Sequence, residues 1–557
     1  MKSLSHLIEP FVYDKLDRLL YESEKSIYNV ADTKKSFLND TSGFSLGNII
    51  KAATLLYIYE KRKNGKKTEE YKRRMITFFA MVKSDSPLET WGKISVLCAL
   101  KMLFDDNCMN VIGQDAINIL KIKTDYRDFI STERMEFLKP LPSNYIHVAL
   151  ECAVLREKIG FENEDMSHKL LDKLMDTVEN FSTDGWLDEQ PPFGRFDIYS
   201  LSSNSAIIRL FEMMERDVPD CFKKNEREII DILYALRNRQ GKGFYYGRSV
   251  AFFADKFVVV KLLSAIKKGL IDDDKTDEVM TYVICAAERI INFWYDQKRE
   301  ICNLWFDGRN TENYRPLSKA FSVTLELLTG LADVAENMKE TLYYDYIPKK
   351  DISDSQRWEI NKTVFVDEEK KVRKLYVLRR KEHTFVLSLT GLGKRIRSAA
   401  YMPAPREADF LDAPPADVCM PYLCPRVTLF DGTVVMPVQN YYQITEIIKD
   451  DYAEIVAKGR LADISDNTFE KVSDKDFEVR YIFNKDIINV EYKIKGAVDS
   501  KIVFCGGDVS YVTFPDATGE IICDTSKNHY FDSYGGNLSK CKIALISGEV
   551  IRYEIKL

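Results

Sequence analysis

The chain has 557 residues, 45% apolar and 30% charged, with Lys+Arg at 80 against Asp+Glu at 86 and a net charge of -6. That length is ample for large cores and suggests two to four domains. The missing basic excess argues against a nucleic-acid partner.

The opening stretch MKSLSHLIEPFVYDKL carries acids within its first turns and no long apolar run, so neither a signal peptide nor a membrane span is expected. From there to about residue 345, apolar residues recur at helical spacing in segment after segment. LGNIIKAATLLYIYEKRK, WGKISVLCALKMLFD, YIHVALECAVLREKIG, MSHKLLDKLMDTVENF, REIIDILYALRNR, FFADKFVVVKLLSAIKKG, VMTYVICAAERIINFWYD and FSVTLELLTGLADVAEN are examples. Some are apolar nearly all round and others strongly amphipathic, which suits inner helices ringed by outer ones. Roughly a dozen such segments predict an (α/α)6 toroid over residues 1–345. No fixed repeat period supports an α-solenoid instead.

After about residue 345 the period changes to two. KTVFVDEEKKVRKLYVLRRKEHTFVLSL, RVTLFDGTVVMPVQNYYQITEI and EVRYIFNKDIINVEYKIKG alternate β-branched or aromatic residues with polar ones, broken by Asp-Gly and similar turns. Residues 346–557 are therefore expected to form an antiparallel β-sandwich. Within it, residues 401–426 are a proline-rich insertion too long for a hairpin turn. It either presents Arg406 to the toroid mouth or packs the two domains together, and packing is the favoured reading. The eleven cysteines lie mostly in apolar runs and read as reduced core thiols, hence a cytoplasmic protein. Cys419 and Cys424 are a close pair with no further ligand nearby, so no metal and no cofactor is expected.

Three stretches of the helical half carry candidate chemistry. DGWLDEQPPFGRFDIYS, residues 184–200, concentrates large polar and aromatic groups in one loop. Trp186 offers a flat face for a pyranose ring, Asp184, Asp188, Glu189 and Asp197 are candidate acids, and Arg195 is a fork for a uronate carboxylate. The plainer reading is a solvated loop in which Ser200 to Ser205 cap the next helix, on which Asn204 also lies. LPSNYIHVALECAVL opens a helix with Asn144 and His147 near its polar start; alone, His147 reads as a satisfied helix-end histidine. GKGFYYGRSVAFFADKF sets Tyr245, Tyr246 and Arg248 in a glycine-flanked turn whose backbone could approach a ligand. A buried Arg248 would need an anion, and Asp255 is the partner nearest in sequence.

In this order the three stretches resemble a bacterial toroid family long described only as a domain of unknown function. That family is similar in layout to heparinase II/III-type polysaccharide lyases and is connected with β-glucuronidases. The chain departs from the pattern at Ile198, Ser200, Phe252 and Phe253, where the family carries more polar groups. The resemblance implies an enzyme cleaving uronic-acid-containing oligosaccharides, with an acidic oligosaccharide as its partner and homo-oligomerisation left open. An exo-acting, glucuronidase-type hydrolase is the first expectation, because an intracellular enzyme would meet imported fragments. A β-eliminating lyase is the alternative, and a glycan-binding module without catalysis a third. Asp197 is the expected general acid or base, Glu189 or Asp184 the second carboxylate, and Tyr199 the proton-transfer group if the chemistry is elimination. Asn144, His147, Trp186, Arg195, Asn204, Tyr246 and Arg248 are the expected substrate-binding groups.

Overall fold

A computed structural model describes residues 3–28, 43–138, 145–395, 399–407, 421–524 and 540–557, apart from positions 84, 87, 164, 182–183, 251, 310, 312–314 and 507. Helices fill the first part: the last of them, Ala320–Met338, precedes the first long strand, Glu359–Glu368.

Six helices form an inner ring: Phe44–Arg62, Thr90–Asp105, Tyr145–Lys158, Ile198–Met213, Phe252–Lys267 and Ala320–Met338. The first four pack in succession, Phe252–Lys267 packs on Ala320–Met338, and the last returns to the first. Between Ile198–Met213 and Phe252–Lys267 the link includes Lys261 Nζ donating to Ser205 Oγ at 2.7 Å. These helices are buried on most sides, as their nearly continuous apolar sequences require. Their partners Leu4–Tyr28, Thr68–Ala80, Gln114–Lys123, Asp165–Phe181, Asp220–Ala235 and Asp273–Arg289 lie outside them, one wet face each. Since each outer helix brings the chain back, the inner helices run the same way, and their N-termini gather at one rim. There the helix dipoles favour anions. The (α/α)6 toroid is thus the observed architecture.

The second half is antiparallel sheet. Four strands, Glu359–Glu368, Lys371–Arg380, His383–Leu389 and Arg406–Glu407, pair in sequence order. An eleven-stranded sheet follows. Its strand Tyr452–Asp463 alternates buried and half-buried residues along most of its length, as a sheet with one covered face demands. No helix among the described residues is long and apolar enough to cross a membrane.

The sheets dock on the rim of inner-helix N-termini. Phe365 stacks on Phe196 at 4.7 Å between centroids and meets Trp186 edge-on at 5.1 Å. Gly391 N–H donates to Gly194 O at 2.7 Å. A Cβ at Gly391 would lie 2.0 Å from Phe193 O, so only glycine allows this approach.

Candidate active site

The loop of residues 184–197 is organised from within. Asp188 spends its carboxylate on the backbone N–H groups of Gln190 at 2.9 Å, Gly194 at 2.7 Å and Arg195 at 2.9 Å. Glu189 N–H donates to Arg195 O at 2.9 Å, which sets Glu189 and Arg195 side by side. Asp197 then caps the inner helix, accepting from Tyr199 N–H at 2.8 Å, so the cap is the aspartate and not the serines after it.

Around Asp197 the structure assembles a charged cluster. Arg248 pairs with Glu189 and places Nε 3.4 Å from Asp197 Oδ2. Arg195 Nε lies 3.6 Å from the same oxygen and donates to Tyr401 Oη at 2.8 Å, while that hydroxyl donates to Asp197. Both carboxylates are buried, Glu189 at 4% exposure and Asp197 at 0%. Burial first, and then the charge on Asp197, push the Glu189 carboxyl up to about 7 against the opposing pull of Arg248 and Arg195. Burial opposes the charge on Arg248, but Asp197, Tyr401 and Glu189 outweigh it and hold the guanidinium above its ordinary range.

Tyr199 stands at the wetter side of this cluster. It is half-buried, its hydroxyl shares a hydrogen bond of 2.8 Å with Ser249 Oγ, and the Arg248 guanidinium lies 4.0 Å from its ring centre. Arg315, arriving just ahead of the last inner helix, donates to Ser249 Oγ at 3.2 Å. Ser249 holds a left-handed backbone, φ 57°, a strained conformation for serine of the kind that clusters at functional sites. Gly247, φ 83°, is pressed against the cluster: a Cβ there would lie 2.6 Å from Asp197 Cβ. The glycine's close approach is thus to Asp197 itself.

Glu189, Arg195, Asp197, Tyr199 and Arg248 come together as the sequence suggested, and Tyr246 lies beside them. Tyr246 is buried, and burial followed by the Asp197 charge raises its phenol well above the ordinary range. Other expectations are corrected. Trp186 is 1% exposed with its ring against Phe365, so it packs the domain junction and offers no face to a sugar. The Asp184 side chain is 65% exposed and pairs with Lys224 of an outer helix at 3.5 Å, outside the cluster. Asp255 is not the partner of Arg248; it accepts from Trp294 Nε1 at 2.6 Å, Gly243 N–H at 2.7 Å and Arg289 Nε at 3.2 Å. Asn204 sits two helical turns below Asp197, about 10 Å along the axis, and donates to Phe222 O at 3.2 Å. His147 is buried, and burial pulls its ring down to about 3, so it is neutral, with Nδ1 lacking a partner among the described residues. Asn144 lies outside the described residues.

Sequence reasoning missed Tyr401, Ser249 and Arg315. Tyr401 opens the proline-rich insertion, of which residues 408–420 lie outside the described ones, and its hydroxyl donates to Asp197. Arg406 is buried inside the sheet domain, 4.8 Å from the Tyr422 ring centre, and does not reach the mouth. Trp91 opens an inner helix, half-buried, 6.2 Å from the His147 ring and 6.3 Å from that of Tyr145.

No protein-family model matches the sequence, and no curated protein matches it significantly. Solved structures do match in fold. The chondroitin AC lyase of Streptomyces coelicolor A3, determined in complex with chondroitin sulphate, superposes with a TM-score of 0.52 at 12% identity, covering 98% of this chain and 79% of that one. Heparinase III superposes with a TM-score of 0.52 at 9% identity, covering 99% of this chain and 85% of its own. At these identities the likeness is one of fold: helical toroid followed by antiparallel sheets, as the three sequence stretches implied.

Proposed function

We propose that this chain is an enzyme that cleaves uronic-acid-containing oligosaccharides by β-elimination, with Tyr199 transferring the proton and Arg248 facing the uronate carboxylate. One observation carries the reading: two half-buried arginines, Arg195 and Arg248, converge on Asp197 directly beside a half-buried tyrosine hydroxyl. With Glu189 protonated up to about pH 7, Arg195 and Arg248 face the single carboxylate of Asp197. One positive charge is left over between these three groups, and a substrate carboxylate balances it. Elimination requires that carboxylate to be neutralised while a base removes the adjacent C–H proton. The Arg248 guanidinium over the Tyr199 ring stabilises negative charge as it develops on the phenol oxygen. Asp197 and Glu189 lie behind these groups, where they hold the arginines in place.

Hydrolysis of the glucuronidase type is the second reading, favoured by the raised Glu189 carboxyl, a protonated acid of the kind that donates to a leaving glycosidic oxygen. A panel of aryl uronides and acidic oligosaccharides separates the two. New ultraviolet absorbance from an unsaturated uronate supports elimination; released aglycone without it establishes hydrolysis instead. Binding of acidic oligosaccharides with neither product overturns both and leaves a binding module.

A further inference from the structure

Three strands of the large sheet bring three thiols into one row, well away in sequence from every residue of the charged cluster. Ala497–Gly506 pairs with Lys540–Ser547, which pairs with Ala517–Asp524 at the sheet's end. The register places Cys505 directly opposite Cys541, and Cys541 directly opposite Cys523. Directly opposed residues of neighbouring strands point to the same face, so all three sulfurs lie on one side of the sheet. All three are thiols, with Cys505 and Cys541 buried and Cys523 half-buried on the outermost strand. The Cys523 thiol donates to the Cys541 backbone carbonyl at 3.8 Å.

We propose that Cys505, Cys541 and Cys523 form a thiol–disulfide exchange site for small-molecule disulfides, with Cys523 as the entry thiol and Cys541 as the thiol that resolves it. Opposed Cα atoms of antiparallel strands are about 4.5–5.5 Å apart. A disulfide needs about 4.4–6.8 Å, so either neighbouring pair closes without moving a strand. Access decides the order of events. The Cys523 thiolate attacks the small disulfide, forming a mixed disulfide and releasing one small thiol. The Cys541 thiolate then attacks the Cys523 sulfur, forming the Cys523–Cys541 bond and releasing the second small thiol. Two protein thiols are oxidised, one small disulfide is reduced, and both protons leave with the two released thiols or to solvent. Cys505 can next attack the Cys541 sulfur, moving the bond inward and freeing Cys523. Hydrogen bonding from Cys505, aided by Cys523 and Lys501, holds the Cys541 thiol below its ordinary range against burial, which suits an attacking thiol. The row does not converge as metal ligands would: no metal-holding group occurs among the described residues.

The test uses the full chain treated with oxidised glutathione, digested without reduction and mapped by mass spectrometry. The expected wild-type product is an internal disulfide joining the Cys541 peptide to that of Cys523 or Cys505, with no glutathione retained. Cys541→Ser should lose the internal bond and keep glutathione on Cys523. Cys505→Ser should keep the Cys523–Cys541 bond, which guards against misfolding as the cause of any loss. Stable glutathione on wild-type Cys523 would overturn the proposal, as would three unmodified thiols in the folded chain when the urea-unfolded chain reacts.

Discussion

Replacing Glu189 by glutamine isolates the electrostatics of the cluster. The amide imitates the protonated acid in shape and removes its titration. In the folded chain this carboxyl is displaced from 4.5 up to about 7, and at about 1.4 kcal/mol per tenfold that corresponds to about 3 kcal/mol. The sign follows from proton uptake. Between these values the folded chain keeps a proton that the unfolded chain has released, so stability is complete below pH 4.5 and falls as pH rises through 7. The difference in stability between variant and wild type, followed by thermal or urea unfolding across this range, cancels the other titrations. It should be near zero at pH 4.5 and grow to about 3 kcal/mol in favour of glutamine above pH 7. The same step should appear in substrate binding. Once Glu189 ionises it competes for Arg248, so wild-type KM for an acidic oligosaccharide rises above pH 7 and the variant's does not. A stability difference that stays flat with pH, or one that favours wild type at high pH, would refute the charge assignment.

Three other substitutions separate chemistry from packing. Tyr199→Phe should lower turnover by roughly a hundred- to ten-thousand-fold while costing about 1 kcal/mol or less in stability, the worth of one hydroxyl hydrogen bond; near-normal kcat would remove Tyr199 from the reaction. Trp186→Ala should destabilise the chain by about 3–5 kcal/mol through the cavity left beside Phe365, with KM unchanged in whatever remains folded; a raised KM at unchanged Tm would return the ring to the substrate. Gly247→Ala should cost more than about 1 kcal/mol, since φ is positive there and the new Cβ would meet Asp197; a variant as stable as wild type would show that this close approach is not tight.

Periodicity made the architecture legible because it reports burial directly. A helix wet on one face and a helix buried all round differ in pattern, and their alternation is the double ring. The site was legible only where one loop supplied its members. Glu189, Arg195, Asp197 and Tyr199 lie within eleven consecutive residues, and Arg248 stood out as a charge at the mouth of an apolar helix. Trp186 was misread for a physical reason. An aromatic among charges looks like a sugar platform, but a loop that a second domain covers has its own core, and Phe365 occupies the face a sugar would need. Asp255 was misread because nearness in sequence is a poor guide on a helix whose neighbours supply other cations. Tyr401 had no local signal at all: it reaches Asp197 from 204 residues away.

That long reach bears on how the site is built. Asp197 caps an inner helix, lies against Gly247, draws both arginines inward and accepts from Tyr401 of the sheet domain. Helix start, domain docking and electrostatics therefore meet on one carboxylate, and any change there alters all three together. Tyr199 and Glu189 are different. One contributes a hydroxyl at the wet side and the other a carboxyl whose protonated form an amide can imitate, so each can be altered with the cap and the domain junction intact. Loss of activity at Asp197 would speak equally for a fold defect and for lost chemistry, whereas the paired responses of Tyr199 and Glu189, one in turnover and one in pH dependence, bear on the chemistry alone.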